Sequence, residues 1–317
     1  MYISVSLRLD IELSHVNYLF PQIHYLVIYN ITLLIKIVLE ELKELFAIKI
    51  HECYQTNSTP LRVECEDGSQ YIVKTVFNKN PPLIDLINEV LCNYFLQLWK
   101  IPVPSQALIT IDKEVVEYFI KEGKYIDKRY ENYNLYFPQF FGTEYISSVT
   151  ELDIFNLNLK NKSDFNKYTN PVDFIKIAVF DKWIGNMDRR KGNPNLLLGA
   201  TSDGFTIIPI DHTQAFAYQD NYKNLRLPIM DRADNNSIML TPMFKSICNF
   251  VSVNELKNLS SEILSNINDT LESIDDVFDC IPQHFGLSKA GKKRIKEILS
   301  NRERNKTISS IYLSYYK

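Results

Sequence analysis

A chain of 317 residues, 45% hydrophobic and 23% charged, is long enough for one large domain or two lobes around a cleft and is too apolar to be disordered. Its net charge of −3 argues against a dedicated nucleic-acid binder, which needs a basic stripe. Cys53, Cys65, Cys92, Cys248 and Cys280 form no C-x-x-C pair, which leaves no zinc ribbon or thiol redox motif and points to reduced core cysteines in a cytoplasmic protein.

Val16 to Ile35 carries no formal charge with His24 neutral, and its length approaches that of a membrane span. Pro21, Gln22, His24 and Asn30 interrupt it, and ITLLIKIVLEELKELFAI then resumes helical spacing with charges on one face. A core or docking helix is therefore favoured over a membrane tether, and no secretory leader is expected. Residues 1–45 read as a hydrophobic N-terminal extension.

From Ile48 the texture changes. AIKIHECYQ, LRVECEDGS and QYIVKTVF predict strands, with a hairpin turn at Glu66–Ser69 where Asp-Gly tolerates positive φ. PPLIDLINEVLCNYFLQLWK opens on prolines and keeps apolar residues at helical spacing. IPVPSQALITI and EVVEYFI read as a further strand pair. These elements predict a small β-rich lobe over 46–122. An irregular aromatic stretch follows, then a helix over Pro171–Asn186, the polar run MDRRKGNPN, and LLLGA and FTIIPID joined at Ser202-Asp203-Gly204. From about Met243 the pattern is helical, so 123–317 is expected to form a larger, mainly helical lobe in an α+β protein.

Asp188 and Asn193 lie in the polar run after a helix, and Asp211 ends an apolar strand. Phosphoryl transfer needs a carboxylate to accept the proton of the attacking hydroxyl, oxygen ligands for magnesium, and cations against the phosphates. This arrangement can supply the first two. Lys74 is a lone lysine in an apolar strand, where burial calls for an anion, and Glu89 lies on an otherwise apolar helical face from which it could pair with Lys74. Ser58 and Thr59 stand before the hairpin as candidate phosphate contacts in a loop without glycine. Glu117 to Ile120, including Phe119, are expected at the interlobe hinge, where backbone groups and apolar side chains would bind adenine. Lys292, Lys293, Arg294 and Lys296 read as a solvated helix face, and His51, His212 and His284 share no metal-ligand spacing.

These residues resemble the HipA-like kinase family, distant relatives of protein kinases and phosphoinositide lipid kinases. Its N-x-D-R-x-x-x-N loop is matched by Asn186, Asp188, Arg189 and Asn193, and its metal-binding aspartate by Asp211. Asn88-Glu89 and Ile101-Pro102-Val103-Pro104 match further positions, while Arg190 stands where the family often has histidine. The resemblance implies a two-lobed protein-kinase-like fold, ATP and Mg2+ as cofactors, Asp188 as base, Asn193 and Asp211 as metal ligands, Lys74 and Glu89 as the phosphate-binding pair, and Arg189 as support for the loop. It implies transfer to serine or threonine of a protein. A small-molecule or lipid alcohol as acceptor, or a nucleotide-binding regulator without turnover, are the alternatives. Some relatives are bacterial toxins that phosphorylate themselves, so an antitoxin or other regulator is the partner suggested.

Overall fold

The computed structural model describes residues 42–56, 58–74, 81–131, 139–153, 159–219, 221–231 and 237–315. The stretch 16–35 lies outside them. Among the described residues no helix is long and apolar enough to cross a membrane.

Five strands close a barrel in the order β1-β2-β3-β5-β4. They are β1 (Lys43–Cys53), β2 (Leu61–Cys65), β3 (Gln70–Lys74), β4 (Gln106–Ile111) and β5 (Gln139–Glu144). Alternation in LRVEC and QYIVK turns Leu61, Val63, Cys65, Tyr71 and Val73 into the barrel, all of them buried. The expected turn joins β2 to β3: Gly68 has φ +80°, and the Ser69 amide donates to the Asp67 carboxylate at 3.0 Å.

Three expectations are corrected here. The helical spacing read through KELFA gives way at Lys43, because Lys43 to Ala47 pair in parallel with Ala107 to Ile111 and so close the barrel. EVVEYFI is not a strand. It lies within a helix, Lys113–Lys121, whose Val116 and Phe119 pack into the barrel core while Tyr118 and Ile120 face outward. β4 already pairs with β1 on one side and β5 on the other, so no sheet edge remains for a further strand. The barrel also takes in β5, beyond the lobe boundary expected at 122. The chain leaves it between Glu144 and Val149.

Helix α1 (Ile84–Leu98) is buried almost all round and joins the barrel to the rest of the molecule. Helix α2 is the Lys113–Lys121 segment, and a short α3 (Lys128–Glu131) follows it. Beyond the barrel, β6 (Val149–Glu151), β7 (Leu196–Thr201) and β8 (Gly204–Pro209) form a second, antiparallel sheet. The remainder is largely helical, with α4 (Asp173–Ile184), α5 (Pro242–Phe250), α6 (Val253–Asp279), α7 (Lys289–Leu299) and α8 (Arg302–Ser309) as its main helices. The expected α+β order, β-rich first and helical after, is the one observed.

Aromatic packing locks α1 to α4. Trp99 stacks on Trp183 at 5.7 Å and meets Phe180 edge-on at 5.3 Å, and Phe95 tilts against Trp183 at 5.8 Å. Each such pair contributes about 0.5–1.5 kcal/mol beyond its buried area. The Trp99 indole N–H donates to Thr270 Oγ1 on α6 at 3.1 Å, which ties the long helix to the same junction. Ser252 and Glu255 close a capping box that starts α6. On α7 the basic cluster behaves as a solvated face: Lys292 pairs with Asp279, Arg294 with Glu297 and Lys296 with Asp275. All five cysteines are free thiols, four of them buried.

Candidate active site

The loop between α4 and β7 is held by its own polar side chains. α4 ends at Gly185, whose φ of +66° suits glycine and where an added Cβ would meet Met230 Sδ at 2.6 Å. The Asn186 side-chain amide donates to Asp181 Oδ1 at 3.0 Å, and its Oδ1 accepts the Asp188 backbone N–H at 3.0 Å. This fixes Asp188 close behind the helix end, largely buried. Asn195 then donates from Nδ2 to Asp188 Oδ2 at 3.1 Å.

Arg189 is the fastener of the loop. Its guanidinium donates to the carbonyls of Pro194 and Ile210, at 3.0 and 3.2 Å, and to that of Asn195. Nη2 lies 2.9 Å from His212 Nε2. Nε faces Asp181 Oδ2 at 2.8 Å as an ion pair, off the line of an N–H···O bond. Burial pushes the Asp181 carboxyl above its usual range, against the pull of Arg189. Arg189 therefore staples α4, the loop and the end of β8 together.

The second half of the site comes from the barrel. β3 ends on Lys74, whose Nζ donates to Glu89 Oε1 on α1 and lies 2.9 Å from Asp211 Oδ1. Burial alone would lower the Lys74 pKa, but Glu89 and Asp211 outweigh it and hold the ammonium above its ordinary value. Glu89 Oε2 accepts the His212 backbone N–H at 3.1 Å, so one carboxylate spans from the barrel lysine to the residue after Asp211. Burial works against both carboxylates, yet Lys74 first, with hydrogen bonds from His212 to Glu89 and from Thr213 to Asp211, holds each below the usual range. Asp211 has φ +59°, unusual for a non-glycine residue, and the Thr213 hydroxyl steadies its Oδ1 at 2.9 Å. Asn88, next to Glu89, donates to the carbonyls of Thr213 and Ala215 at 2.7 and 3.1 Å and accepts from the Tyr222 hydroxyl.

Lys74, Glu89, Asp188, Arg189 and Asp211 thus fall into one bonded constellation. Other expected residues stand differently. Asn193 closes a tight turn with Arg190 through reciprocal backbone bonds of 3.0 and 3.1 Å. Its side chain makes no hydrogen bond among the described residues. Ser58 is exposed in the segment joining β1 to β2, whereas Thr59 is buried, its hydroxyl accepting from Arg129 at 3.1 Å and its carbonyl from the Tyr130 hydroxyl at 2.8 Å. Glu117 is exposed and paired with Lys113 at 3.0 Å. Phe119 fills the barrel core, so neither it nor Glu117 lies where the chain leaves the barrel.

Three residues hold parts that the sequence reading did not assign to them. Asp181 is a carboxylate on an otherwise apolar helical face, the same signal that picked out Glu89. Asn195 stands at the mouth of a strand. His212 is spoken for by Arg189 and Glu89, and nothing in its spacing announces that.

Lys74 is shared by two carboxylates, Glu89 and Asp211, while Asp188 is held by Asn195. The uncommitted donors are carboxylate and amide oxygens, a set that suits a hard divalent cation. Among the described residues no three His, Cys, Asp or Glu side chains converge as a metal cage. A magnesium site completed by phosphate oxygens requires only one or two protein ligands.

The family model of the HipA-like kinase matches residues 48–308. The chain belongs to the HipA-like kinase family. It is a kinase-like phosphotransferase. Among solved structures the chain is similar to CtkA, a proinflammatory kinase of Helicobacter pylori, at 14% identity over 86% of this chain and 98% of that one, with a TM-score of 0.47. It is also similar to the Golgi casein kinase, at 11% identity over 81% of this chain and 72% of that one, TM-score 0.40. The form of that kinase with Mn and ADP bound aligns at 12% identity over 86% and 74%, TM-score 0.39. No curated protein sequence matches the chain.

Proposed function

We propose that this HipA-like kinase uses ATP and magnesium to phosphorylate serine or threonine hydroxyls of a protein, its own chain included. The observation that carries the reading is Lys74, clamped between Glu89 and Asp211 beside a loop that holds Asp188 in place. Magnesium, when bound, would neutralise phosphate charge and hold the transferred group in line. Asp211 and, by the spacing of the motif, Asn193 would supply its protein oxygens. Lys74 binds the α- and β-phosphates, and Glu89 keeps its ammonium aimed. Asp188 accepts the proton of the acceptor hydroxyl as that oxygen bonds to the γ-phosphorus and the bond to the β–γ bridging oxygen breaks, releasing ADP. Ser58 stays a candidate phosphate contact.

Labelled ATP with Mg2+, given to the purified chain and to Asp188→Ala, tests this reading. Label should enter serine or threonine in the wild type and be lost in the variant. Mg-ATP binding without label transfer would instead make the protein a nucleotide-binding regulator. Label passing only to a small-molecule or lipid alcohol would move the acceptor outside proteins.

A further inference from the structure

We infer that Asn195, not Asn193, supplies the amide oxygen that ligates the divalent cation, and that the same side chain positions Asp188. The inference rests on the reading of the site as a metal–nucleotide centre. It departs from the spacing of the motif, which selects Asn193.

The orientation of the Asn195 amide is set by its bond to Asp188. Its Nδ2 donates to Asp188 Oδ2 at 3.1 Å. Oδ1 is therefore turned away from Asp188, and it makes no hydrogen bond among the described residues. Asn195 is half-exposed, so an oxygen so placed is open to serve as a hard ligand. The backbone of Asn195 is pinned as well. Its carbonyl accepts from the Arg189 guanidinium and from the Ile210 N–H at 3.0 Å. Its φ of +47° is a conformation that asparagine tolerates better than most residues. The next residue, Leu196, pairs with Pro209, which puts Asn195 level with the end of the strand that delivers Asp211.

Asn193 has none of these restraints on its side chain. Its backbone closes a hairpin-like turn with Arg190, and Lys191-Gly192 form the tip. Arg190 also bridges to Ser237, which sets this turn apart as a unit of its own. Counting residues along the motif runs through the turn, and the first asparagine after it that faces Asp188 is Asn195.

Manganese is the probe, because its binding in the presence of saturating ADP is read by the loss of the free-ion electron paramagnetic resonance signal, independently of turnover. Asn195→Ala should weaken Mn2+ binding by at least about tenfold, and Asn193→Ala by less than about twofold. Asn195→Asp keeps an oxygen for the ion but sets a carboxylate against Asp188. It should hold Mn2+ affinity within about threefold while phosphoryl transfer falls by about a hundredfold. The inference is overturned if Asn193→Ala loses as much Mn2+ affinity as Asn195→Ala. It is equally overturned if Asn195→Ala binds as the wild type does, or if Asn195→Asp loses the ion. A wild-type chain that takes up no Mn2+ with ADP would overturn the metal–nucleotide reading itself, a different result from an exchange of the two asparagines.

Discussion

Arg189 Nη2 and His212 Nε2 lie 2.9 Å apart in the buried floor of the site. A guanidinium has no lone pair to offer, so the ring nitrogen must accept, and the proton of the neutral imidazole sits on Nδ1. Nδ1 lies 3.7 Å from Glu89 Oε2, the oxygen that also takes the His212 backbone N–H. Burial pushes the His212 pKa down, against the pull of Glu89. One neutral histidine thus links the barrel, through Glu89, to the loop that carries Asp188, through Arg189.

Removing Arg189 should damage the fold as well as turnover. Arg189→Met would leave Asp181 buried without its cation and take a donor from three carbonyls, of which, among the described residues, only that of Asn195 keeps another, the Ile210 N–H. Breaking a buried pair from one side costs about 3–5 kcal/mol. Urea denaturation should show a loss of that size. Adding Asp181→Leu to the same chain should recover part of it, since the orphaned carboxylate is then gone. If the double variant is no more stable than Arg189→Met, the ion pair is not what holds the loop.

The clamp around Lys74 makes an asymmetric prediction. Lys74→Met leaves the buried Glu89 and the half-buried Asp211 without their shared cation, whereas Glu89→Gln keeps an oxygen to accept the His212 N–H. Under the proposed function Lys74→Met should lower kcat/KM by about 10²–10³ and Glu89→Gln by only about tenfold. Steady-state phosphoryl transfer measures both. Equal losses would mean that Glu89 acts on substrate rather than through the lysine.

The residues most legible in the sequence are charges that interrupt apolar runs. Lys74 and Glu89 had to be compensated wherever they lay, and the fold compensates each with the other. Asp181 carried the same signal but lay in a helix already read for its apolar stripe. The hairpin at Glu66–Ser69 and helix α1 were also legible, because Asp-Gly chemistry and helical periodicity are local. What stayed hidden depends on closure of the barrel. EVVEYFI is rich in β-branched and aromatic residues, yet no free edge awaited it, and its apolar residues recur at three and four positions as a helix requires. Lys43 to Ala47 became strand for the converse reason, a partner more than 60 residues away. The bond from Asn195 to Asp188 was hidden because it depends on the turn between Arg190 and Asn193, which spacing along a motif does not show.

Phe119 separates the hinge expectation from the structure. It is 2% exposed and packs in the barrel with Val116, Ile126 and Tyr130. Phe119→Ala should therefore destabilise the protein by about 3–5 kcal/mol, read by chemical denaturation. KM for ATP, measured at a temperature where the variant is folded, should stay within about twofold of wild type. A large rise in KM with little loss of stability would return this segment to the nucleotide site.

Asp173 gives the stability of the protein a distinctive pH signature. It opens α4 within 3.5 Å of Lys176, with Asn170 donating to its Oδ1. Burial outweighs both partners and pushes its carboxyl from 3.8 up to about 6. The folded state then binds a proton more tightly than the unfolded chain. A group raised in this way stabilises the fold below its unfolded value, and that contribution is lost as pH rises from about 4 through about 6. Asp173→Asn keeps the shape and removes the ionisation. Relative to wild type, the variant should gain on the order of 2 kcal/mol between pH 4 and pH 8, with most of the change centred between 4 and 6. Guanidinium melts of both proteins at intervals across that range would trace the difference. A gap that stays flat, or that moves in favour of the wild type as pH rises, would show that Lys176 and Asn170 prevail over burial at this carboxylate.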